Sequence, residues 1–126
     1  MSEKNDAKLM KIQIKRIYQP ADPQEGQRIL VDRLWPRGIT QKAAGIIYWA
    51  KDIAPSTELR KWYVHDPEKW NEFKERYFAE IDQNPDALTR LLKQLKGPVI
   101  TFLFSSKEER LNNAAALREY IEKHSS

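Results

Sequence analysis

Short apolar stretches alternate along the chain with longer amphipathic ones. Residues 11–18 alternate between apolar and polar positions, which predicts a half-exposed strand. Residues 28–35 are apolar on both faces as far as Val31, and residues 99–104 are apolar throughout. Such strands are typical of sheets that are covered on both sides. The pattern therefore predicts two buried strands and one half-exposed strand.

Residues 46–53 fit either a strand or a helix by their length and composition. The alternation of Ile47, Trp49 and Ile53 favours a strand that ends before Pro55.

Capping residues and apolar spacing predict the middle helices. Ser56 caps a helix over residues 57–63, and Asp66 followed by Pro67 opens the next one. The apolar stripe of that next helix consists of Trp70, Phe73, Tyr77 and Ile81. These positions lie three to four residues apart, as on one face of a helix.

Two further helices are predicted in the second half of the chain. One starts at Asn84 and Pro85 and stops before Gly97, because glycine and the proline after it end helices. Ser106 and Glu109 have the spacing of a capping box, so the last helix is expected to start there.

Strands separated by amphipathic helices predict a three-layer, Rossmann-like α/β fold with about four strands. The sheet is expected to be mixed but largely parallel. The loop of residues 19–27 is short for a parallel crossover, which usually needs about a dozen residues, so an antiparallel pairing of the first two strands stays open. Residues 10–126 are assigned to one domain and residues 1–9 to a flexible polar tail.

The composition favours an acidic partner and excludes several kinds of chemistry. The 22 Lys and Arg residues exceed the 18 Asp and Glu residues, which gives a net charge of +4 and a pI of about 9.3. This mild excess favours phosphates, nucleotides or nucleic acid as partners. The absence of cysteine excludes disulfides, thiolate catalysis and cysteine zinc sites. With two histidines far apart, no metal site is predicted and no cofactor is implied.

No apolar run reaches the roughly 18 residues that span a membrane, and the opening residues lack the apolar core of a signal peptide. We therefore expect a cytoplasmic protein without a membrane segment. The sequence leaves its oligomeric state open.

Polar and basic residues follow the predicted strands, where ligands bind in open α/β sheets. The second strand is followed by Asp32, Arg33, Trp35 and Arg37, the third by Lys51 and Ser56, and the last by Ser105 and Ser106. If the strands are parallel, their ends share one edge of the sheet and these side chains converge. Guanidiniums, serine hydroxyls and helix N-terminal amides together favour a small anion that carries phosphate or carboxylate.

Each of these residues also has a structural interpretation. Asp32 can orient an arginine or accept from a ligand hydroxyl, or it can form an internal ion pair with Arg37. Trp35 can stack on a ligand or cover the sheet edge, and the serines can simply cap helices. No glycine-rich phosphate loop connects a predicted strand to a predicted helix, so the standard nucleotide fingerprint is absent.

Asp32 and His65 are the candidates for proton transfer. His65 directly precedes the helix cap Asp66, and imidazole titrates near neutral pH, so it suits a general acid or base. A histidine at such a junction more often stabilises the turn between two helices.

Three segments resemble a known family. They read "RILVDRLWPRG" (28–38), "WAKDIAPSTELRKWYVHDPEKWNEFKERY" (49–77) and "VITFLFSSKEERLNNAAAL" (99–117). Together they resemble the YeaO-like branch of the domain of unknown function 488 family over about residues 11–122. The resemblance implies an α/β fold and no established activity.

The resemblance also points to individual residues. Those that match the YeaO-like pattern are Asp32, Arg33, Trp35, Arg37, Lys51, Ser56, Arg60, His65, Asp66 and Asn112. Some relatives carry a Cys-His-Arg triplet at the start of the last helix, where this chain has residues 112–114, Asn-Asn-Ala. This departure removes any thiol nucleophile. Residues 104–106 stand where a tyrosine followed by small residues is expected, so the last strand contributes differently here.

Three functions follow as hypotheses. The leading one is a protein that binds a small anionic, nucleotide-type ligand, with catalysis left open. The second is a nucleic-acid-interacting protein that stacks bases on Trp35, although the basic residues are scattered along the sequence rather than clustered. The third is a non-catalytic interaction module whose charged motif is an internal salt-bridge network.

Overall fold

The computed structural model describes residues 10–124, which form a four-stranded sheet with five α-helices. The strands are β1 (Lys11–Arg16), β2 (Gln27–Leu30), β3 (Tyr48–Trp49) and β4 (Val99–Phe104). The helices are α1 (Gln41–Ala44), α2 (Thr57–Tyr63), α3 (Trp70–Asp82), α4 (Pro85–Gln94) and α5 (Asn113–Lys123). Short 3₁₀ turns occupy Pro23–Glu25, Lys51–Ile53 and Pro67–Lys69. The predicted tail, residues 1–9, lies outside the described residues.

All four strands run parallel, in the order β1-β4-β2-β3. This confirms the prediction of a largely parallel sheet. The alternative that the sequence left open, an antiparallel pairing of the first two strands, is wrong. Both β1 and β2 pair with β4, which lies between them. Their short connection crosses β4 without a helix, and the Thr101 hydroxyl of β4 donates to the carbonyl oxygen of Glu25 at 2.7 Å. The carboxyl ends of all strands therefore share one edge.

Both faces of the sheet are covered, as a three-layer α/β fold requires. On one face, Phe102 of β4, Tyr77 of α3 and Leu117 of α5 belong to the main buried core, to which α2 and α4 also contribute. On the other face, Leu30 of β2 belongs to a smaller core with Ala44 of α1 and side chains from irregular segments.

The predicted caps of the middle helices are confirmed. The Ser56 hydroxyl oxygen accepts from the N–H of Leu59 at 3.1 Å, and Asp66 caps the 3₁₀ turn that leads into α3. The apolar stripe of α3 is buried at Phe73, Tyr77 and Ile81, and Trp70 is half-buried. Among the described helices, none has the length and apolar character needed to cross a bilayer.

Residues 46–53 contain a strand only at Tyr48–Trp49, which forms β3. A 3₁₀ turn follows at Lys51–Ile53. The strand interpretation is therefore confirmed for the first part of the segment and wrong for the second.

The last helix begins at Asn113 rather than near Ser106, so the capping-box prediction is wrong. Asn112 is the cap, and its side-chain oxygen accepts a backbone N–H of the first turn at 2.9 Å. Glu108 folds the preceding segment into a turn, because its carboxylate accepts from the N–H groups of residues 110 and 111. These hydrogen bonds hold the pKa of Glu108 below its usual range.

A buried ion group fixes the connection between β1 and β2. Glu25 is 5% exposed, and its carboxylate bonds both Lys15 of β1 and Arg28 of β2. Burial by itself would raise the pKa of Glu25, but the hydrogen bonds from Lys15 and Arg28 outweigh burial and hold the pKa below its usual range. The ion group connects two strands that are not paired with each other in the sheet.

Glu25→Gln is expected to lower the free energy of unfolding by about 3–5 kcal/mol at neutral pH, because Arg28 is left buried without its counter-charge. The lowered pKa means that the carboxylate stabilises the fold above pH 4.5, its unfolded-state value, and less as the pH falls through the folded-state pKa. Urea denaturation of both proteins at neutral and acidic pH measures this. A stability difference that does not shrink in acid would contradict the expectation.

Gly26 is required by the turn before β2. Its φ is +66°, and a Cβ atom there would overlap the carbonyl oxygen of Val99. Gly26→Ala is expected to lower the free energy of unfolding by about 3 kcal/mol, of which the left-handed conformation accounts for about 1–2 kcal/mol. Gly38→Ala is the matched control, because Gly38 also has a positive φ, +75°, but open space around it. Equal losses in both variants would show that the overlap is unimportant.

Candidate functional site

The carboxyl ends of β1, β2 and β4 open into a hollow of about 1040 Å³, here called the strand-end groove. Its wall is completed by residues of α2 and by Asn113 at the start of α5. The predicted site residues that line it are Asp32, Arg33, Trp35, Arg37, Arg60, His65, Ser105 and Ser106. The parallel sheet thus brings together side chains that three separate segments supply.

Three of the predicted site residues do not line the groove. Lys51 lies over the ring of Trp49, with Nζ 4.9 Å from the ring centroid. Ser56 caps α2, and its hydroxyl donates to Glu80 at 2.6 Å. Asn112 is buried as the cap of α5. Each of these side chains has a structural role where it stands.

The carboxylate of Asp32 accepts hydrogen bonds from two other segments of the groove. One of its carboxylate oxygens accepts from the backbone N–H of Ser105 at 2.8 Å and from the hydroxyl of Ser105 at 2.7 Å. The other accepts from the side-chain amide of Asn113 at 3.0 Å. The same amide donates to the carbonyl oxygen of Val31 at 2.9 Å. Asp32 therefore joins the ends of β2 and β4 to the start of α5.

Two guanidinium groups are held in place in the groove. Arg16 donates from Nε to the carbonyl oxygens of residues 105 and 106, at 3.2 and 3.0 Å. Arg33 donates to the carbonyl oxygens of residues 54 and 55, at 2.9 and 3.1 Å. Both are half-buried, and neither forms an ion pair with a carboxylate of residues 10–124.

The remaining donors of these guanidiniums are not buried in the fold. Within the described chain, no buried side-chain nitrogen lacks a hydrogen-bond partner. The terminal nitrogens of Arg16 and Arg33 that make no hydrogen bond are therefore in contact with solvent. Because the carbonyl oxygens fix the two groups, their free N–H donors are oriented before any ligand arrives.

The groove concentrates positive charge. It is lined by the cations Arg16, Arg33, Arg37, Arg60, Lys61 and Lys107 and by one carboxylate, that of Asp32. The whole chain has a net charge of only +4. Basic residues that look scattered in the sequence are thus clustered by the fold. The alternative interpretation of Asp32 and Arg37 as an internal ion pair is wrong, since no such pair forms among the described side chains.

An apolar part lies beside these charges. Tyr63 and Phe73 are buried and stack with their ring centroids 4.3 Å apart. Burial, with smaller contributions from two nearby carboxylates, raises the pKa of Tyr63 to about 12, so it stays neutral. Trp35 donates from Nε1 to the carbonyl oxygen of Ile39 at 2.6 Å and packs edge-on against Trp49. Trp35 therefore covers the sheet edge as well as lining the groove.

Val64 and His65 form a strained corner at the groove. Their φ angles are 42° and 55°, in the left-handed region that non-glycine residues, and β-branched ones above all, disfavour. Val64 is 65% exposed, and the His65 ring packs edge-on against Tyr63. These contacts fit the structural interpretation of His65 at a helix junction.

Sequence reasoning missed several groove residues, namely Arg16, Tyr18, Lys61, Tyr63, Lys107 and Asn113. The predicted strand over residues 11–18 hides the first two, because the actual strand ends at Arg16. The same signal that identifies Asp32, a polar residue at a strand end, would identify Arg16 once that boundary is known.

The chain belongs to the domain of unknown function 488 (DUF488) family. Residues 11–126 match the family described as "Inactive DUF488-N3 subclade". The chain is 42% identical over 112 residues to the uncharacterized protein YeaO of Escherichia coli K12, a match that covers 89% of the chain and 97% of YeaO. It is 39% identical over 111 residues to the uncharacterized protein Rv3073c of Mycobacterium tuberculosis H37Rv, covering 88% of the chain and 93% of that protein. No solved structure matches the chain.

Val64→Gly is expected to raise the free energy of unfolding by about 0.5–1 kcal/mol. Glycine removes the roughly 1–2 kcal/mol penalty of the left-handed conformation, and the greater freedom of the unfolded chain offsets part of that gain. Urea denaturation measures the change. A loss of stability would mean that the exposed Val64 side chain makes contacts worth more than the strain.

Proposed function

We propose that the protein binds a small anionic ligand of the nucleotide type, carrying phosphate or carboxylate, in the strand-end groove. The observation that carries this proposal is the pair of guanidiniums of Arg16 and Arg33. Backbone carbonyl oxygens hold both, no carboxylate of the described chain neutralises them, and their remaining donors are open to solvent.

The energetics favour an anion at this pair. A hydrogen bond to a charged group contributes about 1.5–3 kcal/mol, and a guanidinium fork matches the two oxygens of a phosphate or carboxylate. A free arginine side chain would lose about 2 kcal/mol of rotamer entropy on binding, and Arg16 and Arg33 have already lost much of it. The groove's other cations strengthen attraction to the same kind of ligand.

The apolar part of the groove supports a ligand with more than a charged group. The apolar residues Phe73, Tyr63, Pro55 and Leu34 all line the groove. Ligand sites combine a mostly apolar lining with a few oriented polar groups. A nucleotide has both an anionic phosphate and a flat base whose faces pack against apolar side chains.

Binding without catalysis is the form of the proposal that the residues support. Asp32 is engaged by Ser105 and Asn113, and the family that the chain matches is described as inactive. The hypothesis of a purely structural salt-bridge network receives no support, because Arg33 and Arg37 have no carboxylate partner among residues 10–124 and a groove lies beside them.

Isothermal titration with inorganic phosphate, adenosine monophosphate and citrate tests the proposal. At least one of them is expected to bind the native protein. Arg16→Gln and Arg33→Gln are each expected to weaken that binding about tenfold or more, or about 1.4 kcal/mol, because each removes charged donors.

Arg90→Gln is the matched control, because Arg90 is an exposed arginine of α4 outside the groove. The affinity of the Arg90→Gln variant for each compound is expected to equal that of the native protein. The proposal is wrong if none of the three compounds binds, or if all three variants bind as well as the native protein.

A further inference from the structure

Exposed apolar side chains gather at the strand-end groove. The large hydrophobic residues that are exposed in the described chain are Tyr18, Leu34, Ile47, Val64 and Leu92. Of these, Tyr18, Leu34 and Val64 all line the groove, with exposed fractions of 43%, 62% and 65%. Apolar groups that cluster around a hollow mark a surface that is covered when its partner is bound.

Four exposed cations line the same groove. They are Arg37, Arg60, Lys61 and Lys107. The proposed small anion is assigned to the half-buried Arg16 and Arg33, here called the inner guanidiniums, which leaves the four exposed cations, here called the rim cations, for other groups of a ligand. A ligand with several negative charges in succession would engage them as well.

The aromatic ring of Tyr18 is held in place by two contacts. The Arg16 guanidinium lies over its ring, 4.8 Å from the centroid, and its hydroxyl donates to the carbonyl oxygen of Arg37 at 3.0 Å. These two contacts fix the ring while leaving it partly exposed. A fixed aromatic ring next to cations is the arrangement on which unpaired bases stack.

We propose that the strand-end groove binds a short segment of single-stranded nucleic acid. Successive phosphates would contact the inner guanidiniums and the rim cations, and a base would stack on Tyr18. This inference rests on the proposed anion site and names a polymer as its ligand.

Two other macromolecules fit the groove less well. A duplex keeps its bases stacked inside and offers no face to Tyr18. An acidic peptide can be held by a cluster of arginines such as this one, but its carboxylates bring no flat base to stack on Tyr18. An excess of six cations over one carboxylate complements a phosphate chain directly.

Fluorescence anisotropy with labelled oligothymidylates of increasing length tests this inference. Affinity is expected to rise at least tenfold from a mononucleotide to a tetranucleotide. The plot of log affinity against log salt concentration is expected to have a slope of about −3, since each phosphate contact of a single strand contributes about −0.7.

Rim variants give the second part of the test. Tyr18→Ala is expected to weaken oligonucleotide binding about fivefold or more, whereas Tyr18→Phe keeps the stacking ring and most of the affinity. Lys61→Ala and Lys107→Ala are each expected to reduce the salt slope by about 0.7. Lys93→Ala, at an exposed lysine of α4 outside the groove, is the control and is expected to change neither quantity.

The outcomes separate this inference from the proposed function. If a mononucleotide binds as tightly as the longer strands, and only Arg16→Gln and Arg33→Gln weaken its binding, the small-ligand proposal holds. The single-strand inference is then wrong. If those two variants bind every probe like the native protein, both proposals are wrong. Equal binding of a duplex or of polyglutamate would overturn the single-strand inference, because charge alone would then explain the affinity.

Discussion

The carboxylate of Asp32 holds the candidate site in its shape. It accepts from Ser105, 73 residues away in the chain, and from Asn113, 81 residues away, so that the ends of β2 and β4 meet the start of α5. This meeting is possible because β4 pairs in parallel with both β1 and β2. The backbone oxygens of residues 105 and 106 then hold Arg16, which ends β1. The Asp32 contacts to Ser105 thus support the segment whose carbonyl oxygens orient that guanidinium.

The charged groups discussed above fall into two sets, which differ in whether a carboxylate pairs with the cations. Lys15 and Arg28 both pair with the buried carboxylate of Glu25, and their positions serve the fold. Arg16 and Arg33 are also held in place, but by uncharged carbonyl oxygens, and no carboxylate of residues 10–124 pairs with them. A buried arginine with a carboxylate partner serves the fold, and we propose that Arg16 and Arg33, oriented without one, serve ligand binding.

Much of the fold can be predicted from the sequence because its signals are local. Ser56 and Asp66 cap helices through their own neighbours, and the stripe of α3 depends only on spacing. The start of α5 is mispredicted because Ser106 has the right spacing for a cap, while Asn112, whose side chain is buried, holds that position in three dimensions. The site is predicted only in part for a related reason. Asp32, Arg33 and Arg37 follow a recognisable strand, but their neighbours in space depend on the order of strands in the sheet, which no local pattern encodes.

The most direct measurement of the central claim is an NMR titration of the arginine side chains with inorganic phosphate, in which the Nε–H signals are followed. A pre-positioned anion site predicts that the signals of Arg16 and Arg33 shift together and saturate at the same phosphate concentration, while the signal of Arg90 stays unchanged. Shifts of equal size at every arginine, or none at Arg16 and Arg33, would contradict it.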